Sequence, residues 1–225
     1  MQMSNDKPEG HAPTSATQAT KARGKEKKDV KFVSQNAANL TFQLLDVGCG
    51  IVSAFNALQL LQHPVDISII AGAFMMVKCG DLHSGVGPVQ LHHCIDMVLR
   101  HTKSDLQVRL VEPANVGMLR PGSLIYVQSA LLGHVCLPDI FGAVDSKGPD
   151  SHIVMVEQIH QNGVTVINPD TSDTGCDMQW GRFKLTHEHL HQVWRTSRAD
   201  GSRTTQAAII LEMARPTPIQ PTSSQ

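Results

Sequence analysis

The strongest constraint on this chain's fold is a change in hydrophobic period close to residue 106. Before that point apolar residues recur every three to four positions. Ile51, Val52, Phe55, Leu58 and Leu61 follow Cys49 at helical spacing, and Ile69–Val77 and Val89–Arg100 read as two more helices. After it, Leu106–Val111, Ser123–Gln128, His152–Ile159, Val164–Ile167 and Ala207–Met213 are alternating or β-branched runs bounded by Gly, Pro and Asn. Helices and strands that segregate along a chain, rather than alternate, predict an α+β domain with a helical N-terminal half packed on an antiparallel β-sheet half.

The flanks differ from this core. Residues 1–36 are rich in Ser, Thr, Ala, Gln, Gly and Lys, with Lys21, Arg23, Lys25, Lys27 and Lys28 making them mildly basic. Such a stretch has too little apolar surface to offset ordering entropy and is expected to be a disordered arm. Residues 37–214 make one domain, and 215–225 a flexible Pro/Ser/Thr tail. A net charge of −1 over 225 residues gives no basis for nucleic-acid or membrane-surface binding. No apolar run approaches a transmembrane length and no Sec signal peptide is visible, so a cytoplasmic protein, or one exported without such a signal, is expected. The oligomeric state is not legible.

Five cysteines without a CxxC pair fit neither a disulfide framework nor a structural zinc site. The histidine clusters His92-His93-Cys94 with His101, and His187-Glu-His-Leu-His191, do not read HExxH, so no metal and no cofactor is expected.

One cysteine stands apart. Cys49 lies between Gly48 and Gly50 at the first turn of the first helix, where free N–H groups and the helix dipole favour a thiolate. By base rate a cysteine in an apolar helix is a core residue; Gln43 upstream and a suitable histidine downstream separate this one from that background. Gln43 is placed to donate an amide N–H to an oxyanion. The histidine comes from Ile153–Ile167, where Asn162-Gly163 signals a hairpin through a positive-φ turn. Its antiparallel strands would set His152, which opens the first, beside Asn168, which closes the second. An imidazole oriented in this way suits a general base. Asp170 is the alternative orienting group, and Asn168-Pro169-Asp170 alone would be an ordinary turn.

Together, Gln43, Cys49-Gly50 at a helix start, His152 before an apolar strand, and Asn168-Pro169 after the next strand resemble the papain-like cysteine peptidase superfamily. The likeness is nearest to its bacterial branch of double-glycine-peptidase-like and effector proteases, and spans roughly residues 40–213. It implies Cys49 as nucleophile, His152 as base, Asn168 as orienter and Gln43 in the oxyanion hole. It also implies a late helix, Phe183–Trp194, before the last strand. Asn168 stands where that branch often has Asp. Asn56, Leu58 and Gln59 are similar to residues that follow the cysteine in deubiquitinating relatives. The expected activity is hydrolysis of a protein amide bond, peptide or isopeptide, through a Cys thioester; a glutamine deamidase would use the same triad. The expected partner is a protein or peptide substrate, selected by the 80–88 and 114–151 loops.

Two rivals differ in class. Leu45-Asp-Val-Gly-Cys-Gly50 with Pro64-Val-Asp66 reads like the motifs of an S-adenosylmethionine-dependent methyltransferase. Val52, however, occupies the place of a required small residue, and no strand fits before Asp66. The other rival is a non-catalytic binding protein on the papain-like frame.

Overall fold

The computed structural model describes residues 32–33, 48–78, 85–128, 132, 151–169, 181–194 and 206–214. Helices α1 (Gly48–Leu60), α2 (Ile67–Lys78) and α3 (Pro88–His101) come first. Strands β1 (Leu106–Val111), β2 (Leu124–Gln128), β3 (Ser151–His160), β4 (Gly163–Ile167) and β5 (Arg182–Thr186) follow, then α4 (His187–Val193) and β6 (Ala208–Met213). The fold is α+β, with one six-stranded sheet in the order β1-β6-β2-β3-β4-β5 and antiparallel at every pairing. A methyltransferase reading of the Leu45–Gly50 motif needs a parallel sheet with crossover helices, whereas the strands among the described residues pair antiparallel throughout. Asp66 instead accepts a hydrogen bond from the Ser68 N–H at the start of α2.

Strand alternation divides the core into two layers. Leu124, Tyr126, Ile153, Met155, Ile209 and Leu211 face α1–α3. Their neighbours Ile125, Val127, Val154, Val156, Ala208 and Ile210 face the other way, against Leu190, Val193 and Trp194. Helix α1 is consequently buried nearly all round, with Ile51, Val52 and Ala57 fully enclosed. Gly50 lets it approach α2, because a Cβ there would lie 3.0 Å from a Phe74 ring carbon and 3.1 Å from Val86 Cγ1. Among the described residues no helix is long and apolar enough to cross a membrane.

Three expectations need correction. The stretch Phe183–Trp194 is not one helix: Arg182–Thr186 is the edge strand β5, and only His187–Val193 is helical. The Thr186 side chain caps that helix by accepting from the His189 N–H, which marks the change from strand to helix. The β3–β4 hairpin forms, but neither Asn162 nor Gly163 has positive φ. Glycine is required at 163 for a different reason: a Cβ there would fall 1.9 Å from the Leu185 carbonyl oxygen of β5.

The third correction concerns the N-terminal arm, of which Phe32 and Val33 are attached to the domain. Buried Asn56 binds the Val33 backbone twice, accepting from its N–H and donating to its C=O, each at 2.9 Å. The Phe32 ring lies 5.8 Å from the Arg182 guanidinium, which is itself paired bidentately with Glu157. Asn56→Ala would strip both bonds from a buried site. It is expected to lower stability by about 1–3 kcal/mol in urea unfolding; a change under about 0.5 kcal/mol would remove Asn56 as the anchor of this segment.

Candidate active site

Cys49 is the second residue of α1 and partly buried, in the turn whose backbone N–H groups have no intrahelical acceptor. His152 enters β3 and is 7% exposed. Asn168 directly follows β4. The pairing Met155↔Ile167 brings the beginning of β3 alongside the end of β4, and there Asn168 Oδ1 meets His152 Nε2 at 2.5 Å. An amide oxygen only accepts, so Nε2 carries the proton and Nδ1 is left to face the thiol.

Electrostatics of the cysteine follow from this arrangement. Burial pushes the Cys49 thiol up, but the His152 hydrogen bond and positive charge, with the Ile153 and Gly50 N–H groups, outweigh it and hold the pKa below the ordinary thiol value of 9.0. The contrast is Cys94 on α3, fully enclosed and pushed by burial up to about 12. Both cysteines are free. Tyr126 on β2 belongs to the same neighbourhood. Burial, with the negative charges of Cys49 and Cys94, raises its phenol well above the usual range, so it stays protonated. It donates to the Val86 carbonyl at 3.1 Å, while buried Lys78 donates to the Gly85 carbonyl at 3.1 Å. These bonds fix Gly85–Gly87, part of one of the two stretches expected to select substrate.

The structure therefore brings Cys49, His152 and Asn168 together. Gln43 and Asp170 lie outside the described residues, as do Cys79, Cys136 and Cys176. Among the described residues no group of three or more His, Cys, Asp or Glu is placed to hold an ion. His187 and His191 are exposed on α4.

Sequence reasoning missed Ser53. Its hydroxyl donates to the Ile153 carbonyl at 2.9 Å across the α1–β3 interface, and it is 1% exposed. The available signal was a polar residue one helical turn after Cys49, set between the apolar Val52 and Ala54. The backbone N–H of Ile153, directed at the thiol, was not legible from side-chain identities at all.

Scans of the sequence against protein-family models and against curated proteins return no match.

Proposed function

We propose that this protein is a cysteine hydrolase of the papain-like type that cleaves a protein amide bond through a thioester on Cys49. The observation that carries this reading is the relay from Asn168 Oδ1 to His152 Nε2, and from His152 to a thiol at a helix start whose pKa is lowered despite burial. A core cysteine has no reason to be arranged in this way; Cys94 has no such relay.

In this reading the Cys49 thiolate attacks the carbonyl carbon and a C–S bond forms. The oxyanion is held by the Cys49 backbone N–H and, by the family resemblance, by the side-chain amide of Gln43. Protonated His152 gives its Nδ1 proton to the leaving amine as the C–N bond breaks. Water then gives a proton to the neutral imidazole and attacks the thioester, releasing the acid and restoring the thiolate–imidazolium pair. Asn168 holds the ring in one tautomer throughout. The substrate is a protein or peptide, and the same steps on a glutamine side chain would release ammonia.

The test is alkylation of each cysteine at pH 5–9, read by peptide mass spectrometry, beside turnover of a glutamine-containing peptide library. The rate rises as a thiol loses its proton. A lowered pKa therefore places the rise for Cys49 at lower pH than for an ordinary thiol, while Cys94, at about 12, stays unreacted. New peptide termini or ammonia should accompany that reactivity. Cys49 reacting no faster than an ordinary thiol would overturn the thiolate pair. A reactive Cys49 with neither product would leave a binding protein.

A further inference from the structure

Among the described residues, the pairing of β3 with β4 stops at Met155↔Ile167, where β3 meets α1. Val156 exchanges hydrogen bonds with Gly122 and Ser123 on the β2 side, its N–H donating to Ser123 and its C=O accepting from Gly122. By strand alternation Met155 and Ile153 point their backbone groups the other way, toward β4. Met155 meets Ile167 there, but Ile153 would face Pro169, where the chain has left the ladder and proline has no N–H to offer. A buried N–H and C=O cannot remain without partners.

Helix α1 supplies both. Ser53 Oγ donates to the Ile153 C=O at 2.9 Å, and the Ile153 N–H is directed at the Cys49 sulfur. Cys49 and Ser53 are one turn apart on the same helix, and Ile153 follows His152 directly. One strand residue is thus held at its acceptor by one turn of α1 and turns its donor to the sulfur one turn earlier.

We infer that Ser53 is a positioning residue for the Cys49–His152 pair: by fixing the Ile153 carbonyl it aims the Ile153 N–H at the thiolate and sets the register of β3 against α1. This rests on the cysteine-hydrolase reading. Ser53 acts through Ile153. Its hydroxyl, rather than its volume, is what the site uses, because the hydroxyl is the atom that reaches the Ile153 carbonyl. It also gives Pro169 of the Asn168-Pro169 pair a role, since a residue with an N–H there would compete with Ser53 for the Ile153 carbonyl.

The experiment compares the pH profile of Cys49 alkylation in wild type, Ser53→Ala and Ser53→Thr, with thermal unfolding recorded on each. Ser53→Ala is expected to raise the midpoint for Cys49 by about one pH unit, a tenfold fall in thiolate below the midpoint. Ser53→Thr, which keeps a hydroxyl, is expected to stay close to wild type. A folded Ser53→Ala protein with the wild-type midpoint overturns the inference, even if its Tm has dropped, because a purely structural role moves Tm alone. Should Ser53→Ala fail to fold, the Ile153 amide proton in wild type decides. Its NMR shift should titrate with the Cys49 midpoint and lose that step in Cys49→Ala; a shift that ignores the Cys49 midpoint overturns the inference. Failure of the hydrolase reading looks different: wild-type Cys49 would then already show an ordinary thiol profile, or would react normally while no new peptide termini or ammonia appear.

Discussion

Replacing His152 with alanine should lower kcat/KM by about 10⁴–10⁶-fold, the scale on which loss of a catalytic base in a nucleophile–base pair is felt. Two effects combine. With the imidazole gone, burial dominates the Cys49 environment and the thiol moves up, so little thiolate exists at neutral pH. The proton for the leaving amine is lost as well. Wild-type turnover should fall on the acid side as Cys49 becomes protonated, at a pH below the 9.0 of an ordinary thiol. In His152→Ala the alkylation profile of Cys49 should move to higher pH. Asn168→Ala should keep the pair but free the ring to adopt either tautomer, with a smaller loss. The proposal would not survive a His152→Ala protein that retained wild-type Cys49 reactivity, or an Asn168→Ala protein more impaired than His152→Ala.

A large stability effect is expected at a residue far from any chemistry. Gly163→Ala places a methyl 1.9 Å from the Leu185 carbonyl oxygen and 2.9 Å from Thr186 Cα, both of them backbone atoms of β5. No rotamer change relieves such a clash, so β4 and β5 must separate at the end where Gly163 pairs with Thr186. Two further bonds are at risk there: the His187 N–H to the Asn162 carbonyl, and the Thr186 cap of α4. Overpacking of this kind costs about 3 kcal/mol, a fall of roughly 6–12 °C in Tm for a chain of this size. Asn162→Ala should change stability by less than about 0.5 kcal/mol, because Asn162 is exposed and not held at positive φ. The opposite ranking in thermal melts, with Asn162→Ala the more damaging, would restore the positive-φ turn and falsify the close-approach account of Gly163.

Much of the site follows from local pattern. Apolar spacing after Cys49 marks a buried helix with the thiol in its first turn, because period and terminus are short-range properties. The hairpin between β3 and β4 is equally local, and antiparallel pairing around a short turn forces His152 and Asn168 to the same sheet end whatever the rest of the chain does. The segregation of helices from strands likewise excludes a parallel, alternating architecture before any contact is known.

Other features depend on neighbours distant in sequence. Arg-Phe-Lys-Leu-Thr at 182–186 buries only Leu185 fully, so its strand state comes from β4 beside it rather than from its own hydrophobicity. The same holds for β6, inserted between β1 and β2, a placement no local signal encodes. Asn56 binds backbone 23 positions earlier and Ser53 binds backbone 100 positions later. The sequence by itself determined the helix that carries Cys49, the strands that carry His152 and Asn168, and their class of fold, because each rests on periodicity or on a short turn. Tertiary structure alone decided what surrounds the thiol, since a hydrogen bond to a backbone group leaves no mark in the identity of the residue that supplies it.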